Sequence, residues 1–258
     1  MINTHFAMAL RSRLFMTHDN IPHNLRCSCH QKAPIDPYGI HLQKCKSCYH
    51  LTTDTHDALK LIHAELARTC GYTCHVEPLG VYRADDPTNG NRLDLLIVCP
   101  DQDTGLIGID HRVTNPINAD IEHRRTPHTP TAGQNIRKSE SEKTIKHNTH
   151  CTKQNITFYP AINDSYGAWG SIFKKLFNKW IHKLSQITNT HANILYTHWS
   201  QRISVALQTH VARAQLVRLG HLKAINTPMP PPDPTPHSIR IQQTWHSTTH
   251  YDFDTHAT

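Results

Sequence analysis

Two aspartates with fifteen residues between them, Asp94 and Asp110, bracket the most constrained part of this chain. Residues 92–98 are nearly all apolar apart from Asp94. Asp101-Gln102-Asp103-Thr104-Gly105 supplies turn chemistry, and Leu106–Thr114 reads as the next strand. That spacing is what two adjacent strands joined by a hairpin produce. Each aspartate then stands beside a core as an ionised group, a placement that is unfavourable unless a metal or a cation compensates.

The surrounding pattern extends the hairpin into an α/β unit. Thr53 or Asp54 can cap a helix in which Leu59, Ile62, Leu66 and Cys70 recur on one face, and Gly71 stops it. Residues 73–78 read as a short strand before the hairpin. Asn115-Pro116 ends the last hairpin strand and a polar loop runs through Thr131. A weakly amphipathic helix then covers about 134–147, and 155–161 forms a fourth strand. The resulting order is α-β-β-β-α-β.

Beyond it, Trp169, Ile172, Phe173, Leu176, Phe177, Trp180, Ile181 and Leu184 follow helical spacing, with Lys174, Lys175, Lys179 and Lys183 on the other faces. A second helix over about 194–219 carries Leu195, Trp199, Ile203, Leu207 and Val211. Six prolines between Pro228 and Pro236 mark 227–258 as a disordered tail.

Lys and Arg outnumber Asp and Glu 27 to 20, for a formal charge of +7, which favours a polyanionic partner such as nucleic acid. The 23 histidines have a bland origin, because His, Thr, Asn, Pro and Gln are enriched together as biased base composition would enrich them. A histidine therefore counts only where its spacing does. No run approaches the ~20 apolar residues of a membrane span, and the first sixteen residues lack the order of a secretory signal.

Spacing does count at 27–50, which is short of aliphatic residues and holds four of the eight cysteines. Cys27-x-Cys29 offers one donor pair and His41-x3-Cys45 another, which suits tetrahedral zinc in a reducing compartment. Cys48, His30 and His50 are spare donors.

Metal-dependent phosphodiester hydrolysis needs acidic oxygens converging on Mg²⁺, and Asp94 and Asp110 are the candidates. Glu77 is a third acid, with Glu65 its competitor. Two residues after Asp110, where a lysine would serve, stands Arg112, which stabilises phosphate but does not give up its proton. Lys143 or Lys146 on the following helix would supply an ammonium instead. The competing reading is ordinary strand-edge ion pairing of the aspartates with Arg92 and Arg112. Arg92, Arg112, Lys174, Lys175 and Lys179 are the candidate contacts to nucleic acid.

Taken in order, these motifs resemble the C-terminal region of non-LTR retrotransposon reverse transcriptases that carry a restriction-like endonuclease. There a CCHC zinc knuckle precedes a Lys/Arg-Pro-Asp motif and a further acid; here stand Cys27, Cys29, His41 and Cys45, then Arg92-Leu93-Asp94, then Asp110. A wider set of reverse-transcriptase-associated proteins is similar through Gly39-Ile40-His41, His56, Glu77-Pro78, Asp110-His111-Arg112-Val113-Thr114, Gly167-Ala168-Trp169 and Gln201-Arg202-Ile203-Ser204-Val205-Ala206. The departures are Leu93 for proline, His30 for glycine, and a slightly longer gap to Asp110.

The resemblance implies a restriction-endonuclease-like core at 51–165, behind an ill-defined segment 1–26 and a zinc knuckle at 27–50. A helical extension at 166–226 and the tail 227–258 would follow. It further implies Zn and Mg as cofactors and DNA as partner, with RNA as a second polyanion. The expected role is DNA nicking in the nucleus or between nucleus and cytoplasm. No Tyr-x-Asp-Asp polymerase motif occurs, so the chain is expected to work beside a separate reverse transcriptase, or to be a non-catalytic relic that still binds zinc and nucleic acid.

Overall fold

The computed structural model describes residues 3–19, 21, 25–27, 34–45, 49–78, 92–100, 105–117 and 133–220. Helices α1 (Asn3–Arg13), α2 (Ile40–Lys44) and α3 (Tyr49–Thr69) precede strands β1 (Thr73–Val76), β2 (Leu95–Val98) and β3 (Leu106–Thr114). Helix α4 (Gln134–Lys153), strand β4 (Thr157–Asp164) and helices α5 (Ser171–Thr188) and α6 (Ala192–Arg218) follow. The tail 227–258, Cys29, His30 and Cys48 lie outside the described residues.

The protein is a mixed α/β chain whose described residues include a four-stranded sheet in the order β1-β2-β3-β4. The first two pairings are antiparallel and the last parallel. Leu95 faces Ile109 and Val98 faces Leu106, so 95–98 and 106–109 make the expected hairpin. The α-β-β-β-α-β order is present from α3 to β4.

Alternation divides the sheet between two layers. Leu95, Ile97, Ile107, Ile109 and Ala161 join a core with α3, α5 and α6. Leu93 and Phe158 face the other way, with Cys151 and Ile156 from the end of α4 and its exit loop. Helix α5 buries Phe173, Leu176, Phe177, Trp180, Ile181 and Leu184, each worth about 1.5–3 kcal/mol of apolar burial. Its N-terminus is capped from α4: the buried Glu140 accepts the Ile172 N–H at 3.0 Å. Gly170 is the residue beside that carboxylate.

Several expected boundaries move. Helix α3 begins at Tyr49 rather than Thr53. The Thr55 hydroxyl turns back to the Leu51 carbonyl, so Thr53–Thr55 lie inside the helix rather than at its cap. Strand β1 ends at Val76 because Glu77 takes a left-handed φ of 49°. Strand β2 begins at Leu95, three residues later than expected, and α4 runs on to Lys153. Strand β4 reaches Asp164, two residues after Ile162, whose carbonyl accepts the Gly170 N–H.

The N-terminal segment is tied to the end of α6. Ser12 donates to Gln215 Oε1 at 3.2 Å, and Gln215 Nε2 donates to the Gly39 carbonyl at 3.3 Å. Gly39 has φ 69° and leads into α2, whose first amides are held by Asp36: Oδ1 accepts from Ile40 and Oδ2 from His41. Gln43 Oε1 accepts from Asn115 and Ser165, joining α2 to the ends of β3 and β4.

Gly108 is where the α4-side layer closes most tightly. A Cβ there would stand 2.8 Å from Leu93 Cδ1 and 3.0 Å from Ile156 Cγ2. Gly108→Val is expected to destabilise the fold by about 1–3 kcal/mol through overpacking. Unchanged urea unfolding would contradict this account of the layer.

Three histidines in the N-terminal and α6 layers set a pH dependence. Burial lowers the pKa of His5, His18 and His210, aided by Arg213 for His5 and His210 and by Arg11 for His18. Between the lowered folded value and the ordinary 6.5, the unfolded chain binds more protons, so stability rises with pH through that window and is lost as the pH falls through it. Thermal unfolding is expected at lower temperature near pH 5 than near pH 7, and triple replacement of these histidines by Gln should flatten the difference.

Candidate metal centre

The backbone turns over at Asp94. Leu93 and Leu95, two residues apart, would share a face on a regular strand, yet they belong to opposite layers. The Asp94 N–H donates to the Ile109 carbonyl at 2.9 Å, and its own carbonyl accepts the Glu77 N–H at 2.7 Å. The carboxylate therefore reaches to the α3 side of the sheet.

Three groups meet that carboxylate on one oxygen. Oδ2 accepts the His111 backbone N–H at 2.5 Å, lies 3.2 Å from His111 Nδ1, and lies 2.9 Å from His56 Nε2. His56 Nε2, Asp94 Oδ2 and His111 Nδ1 fall within 4.8 Å of one another, a group that could hold a metal ion. His56 comes from α3, Asp94 from the approach to β2, and His111 from β3.

Behind these residues the contacts continue. His111 Nε2 is 2.8 Å from His63 Nδ1, and the two rings stack at 5.1 Å between centroids. His56 Nδ1 is 3.0 Å from Asp57 Oδ1, which also accepts from Lys60 at 2.8 Å. Lys60 reaches Glu77 at 2.5 Å, and Glu77 pairs with Arg92 at 3.0 Å. A continuous path thus runs Glu77–Lys60–Asp57–His56–Asp94–His111–His63.

Its electrostatics follow from burial and charge. Burial pushes the Asp94 carboxyl up, but hydrogen bonds and charge from His111 and His56 outweigh it and hold the group well below the usual carboxylate range. Burial opposes a charged His56, yet Asp94 and Asp57 together raise its pKa. For His111 burial wins over the help of Asp94, and its pKa falls. His63 falls well below 6.5, first through burial and then through His111.

Asp110 goes the other way. As the neighbour of His111 on a regular strand it points to α4, where its Oδ2 meets the Lys143 ammonium and lies 2.9 Å from His147 Nε2. The two aspartates thus face opposite layers and do not fit a shared magnesium ion. The physical reason is the turnover at Asp94, which the spacing of the two acids cannot reveal. Glu77, expected as a third acidic ligand, is separated from the centre by Lys60. Glu65 pairs bidentately with Arg202 of α6 at 2.8 and 2.7 Å.

The remaining expected residues divide similarly. Arg112 bonds to Glu142 of α4 at 2.5 Å rather than facing open solvent alone, and Lys146 is exposed on α4. Lys174, Lys175 and Lys179 lie on the exposed face of α5. Cys27, His41 and Cys45 form a second candidate ligand group, with the two sulfurs 3.4 Å apart.

Sequence reasoning did not select His63, Lys60, Asp57, His111 or His147 as site residues, and used His56 only as part of a motif. A signal existed: His56, Lys60 and His63 follow i, i+4, i+7 spacing, one helical face. Compared with known proteins, the chain matches no family profile, and no curated protein is significantly similar to it in sequence. Fold and site define a mixed α/β protein with, among the described residues, two candidate metal-ligand groups, one rich in sulfur and one made of imidazole and carboxylate.

Lys60 is buried between Asp57 and Glu77, which are partly exposed. Lys60→Met leaves both carboxylates without their shared cation, at an expected cost of about 1–3 kcal/mol after allowing for solvent screening. Guanidinium unfolding measures this, and a loss below the error of the method would show that the path is decorative.

Proposed function

We propose that the chain is a metal-dependent nucleic-acid module that nicks DNA, of retrotransposon origin and acting in the nucleus or between nucleus and cytoplasm beside a separate reverse transcriptase. One observation carries the reading: two buried carboxylates stand on the two central strand segments of the sheet, Asp94 just ahead of β2 and held by two histidines, Asp110 within β3 and held by Lys143 on the opposite layer. The α-β-β-β-α-β order with a mixed sheet supports a restriction-endonuclease-like core, and the ordered motifs support its origin. The Cys27, His41 and Cys45 donors support a zinc knuckle, with Cys29 as fourth ligand. Their 3.4 Å sulfur separation needs only slight widening to reach the ~3.8 Å that two Zn–S bonds of ~2.3 Å imply in a tetrahedron.

The chain's own residues fit such chemistry in parts. Arg112 cannot accept a proton, so the ammonium beside the second acid comes from Lys143 on α4. Lys143 orients the Asp110 carboxylate and can turn toward an arriving phosphate oxygen. A divalent ion at the Asp94 end would activate water and neutralise charge developing on the phosphate. Lys174, Lys175 and Lys179 supply exposed positive charge for the backbone of DNA or RNA.

A second reading, a non-catalytic relic that binds zinc and nucleic acid, draws on the divergence of Asp94 and Asp110 and the pairing of Arg112 with Glu142. Nicking of supercoiled plasmid with Mg²⁺, Mn²⁺ or Zn²⁺ separates the two. Wild type is expected to nick, and Asp110→Asn and Lys143→Met to slow nicking by about 10²-fold or more. Equal rates in all three proteins sink the catalytic reading, and salt-sensitive DNA binding without any nicking establishes the relic.

A further inference from the structure

We propose that His56, Asp94 and His111 bind a divalent ion of the zinc class, leaving at least one coordination position open. The inference is independent of DNA cleavage.

The geometry is that of a three-residue metal face more than of a hydrogen-bonded cluster. Both imidazole nitrogens converge on a single carboxylate oxygen, Oδ2, at 2.9 and 3.2 Å. Bonds of ~2.05 Å to a tetrahedral ion place two ligand atoms ~3.3 Å apart, so modest widening admits the ion. The three residues come from separate elements, and each is fixed: α3 and β3 carry the histidines, and two backbone hydrogen bonds pin Asp94.

The outer contacts are those that metal-bound imidazoles use. A ligating histidine has its other nitrogen held by a carboxylate or similar acceptor, which fixes tautomer and ring orientation. His56 Nδ1 has Asp57, itself held by Lys60. His111 Nε2 has His63 Nδ1 at 2.8 Å.

The tautomers follow. With Nδ1 of His111 bound to metal, its Nε2–H donates to His63 Nδ1, and the His63 proton sits on Nε2. That Nε2 is buried and has no hydrogen-bond partner. The aromatic rings of Phe173 and Trp169 stand 4.5 and 6.5 Å away between centroids. An N–H tolerates such neighbours better than a bare lone pair does. The opposite tautomer, required if His111 Nδ1–H merely donated to Asp94, would bury the lone pair.

The donor set decides the ion. Two imidazoles and one carboxylate suit zinc, cobalt, iron or nickel, whereas magnesium takes oxygen ligands and keeps several waters. The expected Mg²⁺ at Asp94 is therefore replaced by a borderline ion, with a fourth position free as in catalytic zinc sites. Access is from the His56 side, since that side chain is 26% exposed and His111 is 1%.

Titration of the metal-stripped full chain with Co²⁺ tests this. The sulfur ligands at 27–45 give a charge-transfer band, while an imidazole–carboxylate site gives only visible d–d absorption. Wild type is expected to take one equivalent without sulfur character, undisplaced by excess Mg²⁺. His56→Gln at the rim should lose that equivalent and keep the charge-transfer band, which reports an intact fold. If His56→Gln fails to fold, Asp57→Ala, which leaves all three ligands in place, should weaken the same equivalent by about 10–100-fold. No sulfur-free equivalent in wild type, or the same affinity in the folded variants, overturns the proposal. Metal binding without nicking would leave it standing and remove only the catalytic reading.

Discussion

One buried carboxylate organises this protein. Asp94 sits where the chain crosses from one sheet face to the other, and its charge is tolerable because the His111 amide and two imidazole nitrogens converge on a single oxygen. The backbone amide of His111 comes with the hairpin, while the imidazoles bring α3 and β3 into register with it. Removing any of the three would leave negative charge against Leu93 and Leu95, two of the most deeply buried side chains. The contact to His56 ties α3 to the sheet ahead of Lys60 and His63, alongside the burial of Leu59 and Leu66 in the core.

The same turnover separates two chemistries that proximity in sequence would have merged. Asp110 belongs to the α4 layer and to lysine, Asp94 to the α3 layer and to histidine. Neighbouring residues on β3, Asp110 and His111, serve the two sides in turn. The sheet is thus a partition with a different ionic centre on each side of its central strands.

Much of the framework was legible in the sequence. Strand β3 has its expected ends because its apolar run is closed by Gly105 and Asn115-Pro116, and the α5 stripe from Phe173 to Leu184 is buried as its periodicity requires. Element order followed from hydrophobic runs and punctuation. What could not be read was the turnover at Asp94, since it depends on which layer Leu93 fills, and Leu93 fits because Gly108 leaves it room. The histidine centre was hidden differently. His56, Lys60 and His63 share a helical face, but in a chain with 23 histidines that stripe looks like composition.

Gln215 gives the architecture a last consequence. One amide near the end of α6 joins Ser12 of the first helix and the carbonyl of Gly39, whose loop carries His41 toward Cys27 and Cys45. Chain topology is thereby closed into a loop, and Arg218 at the same end of α6 adds a bond to the Leu42 carbonyl of α2. Insertions or fusions ahead of Asn3 leave these bonds alone. A break between α1 and α2 would place the two partners of Gln215 on separate pieces, so that the first helix would be held to α6 only by that amide and by the burial of residues such as Met8 and Ala9.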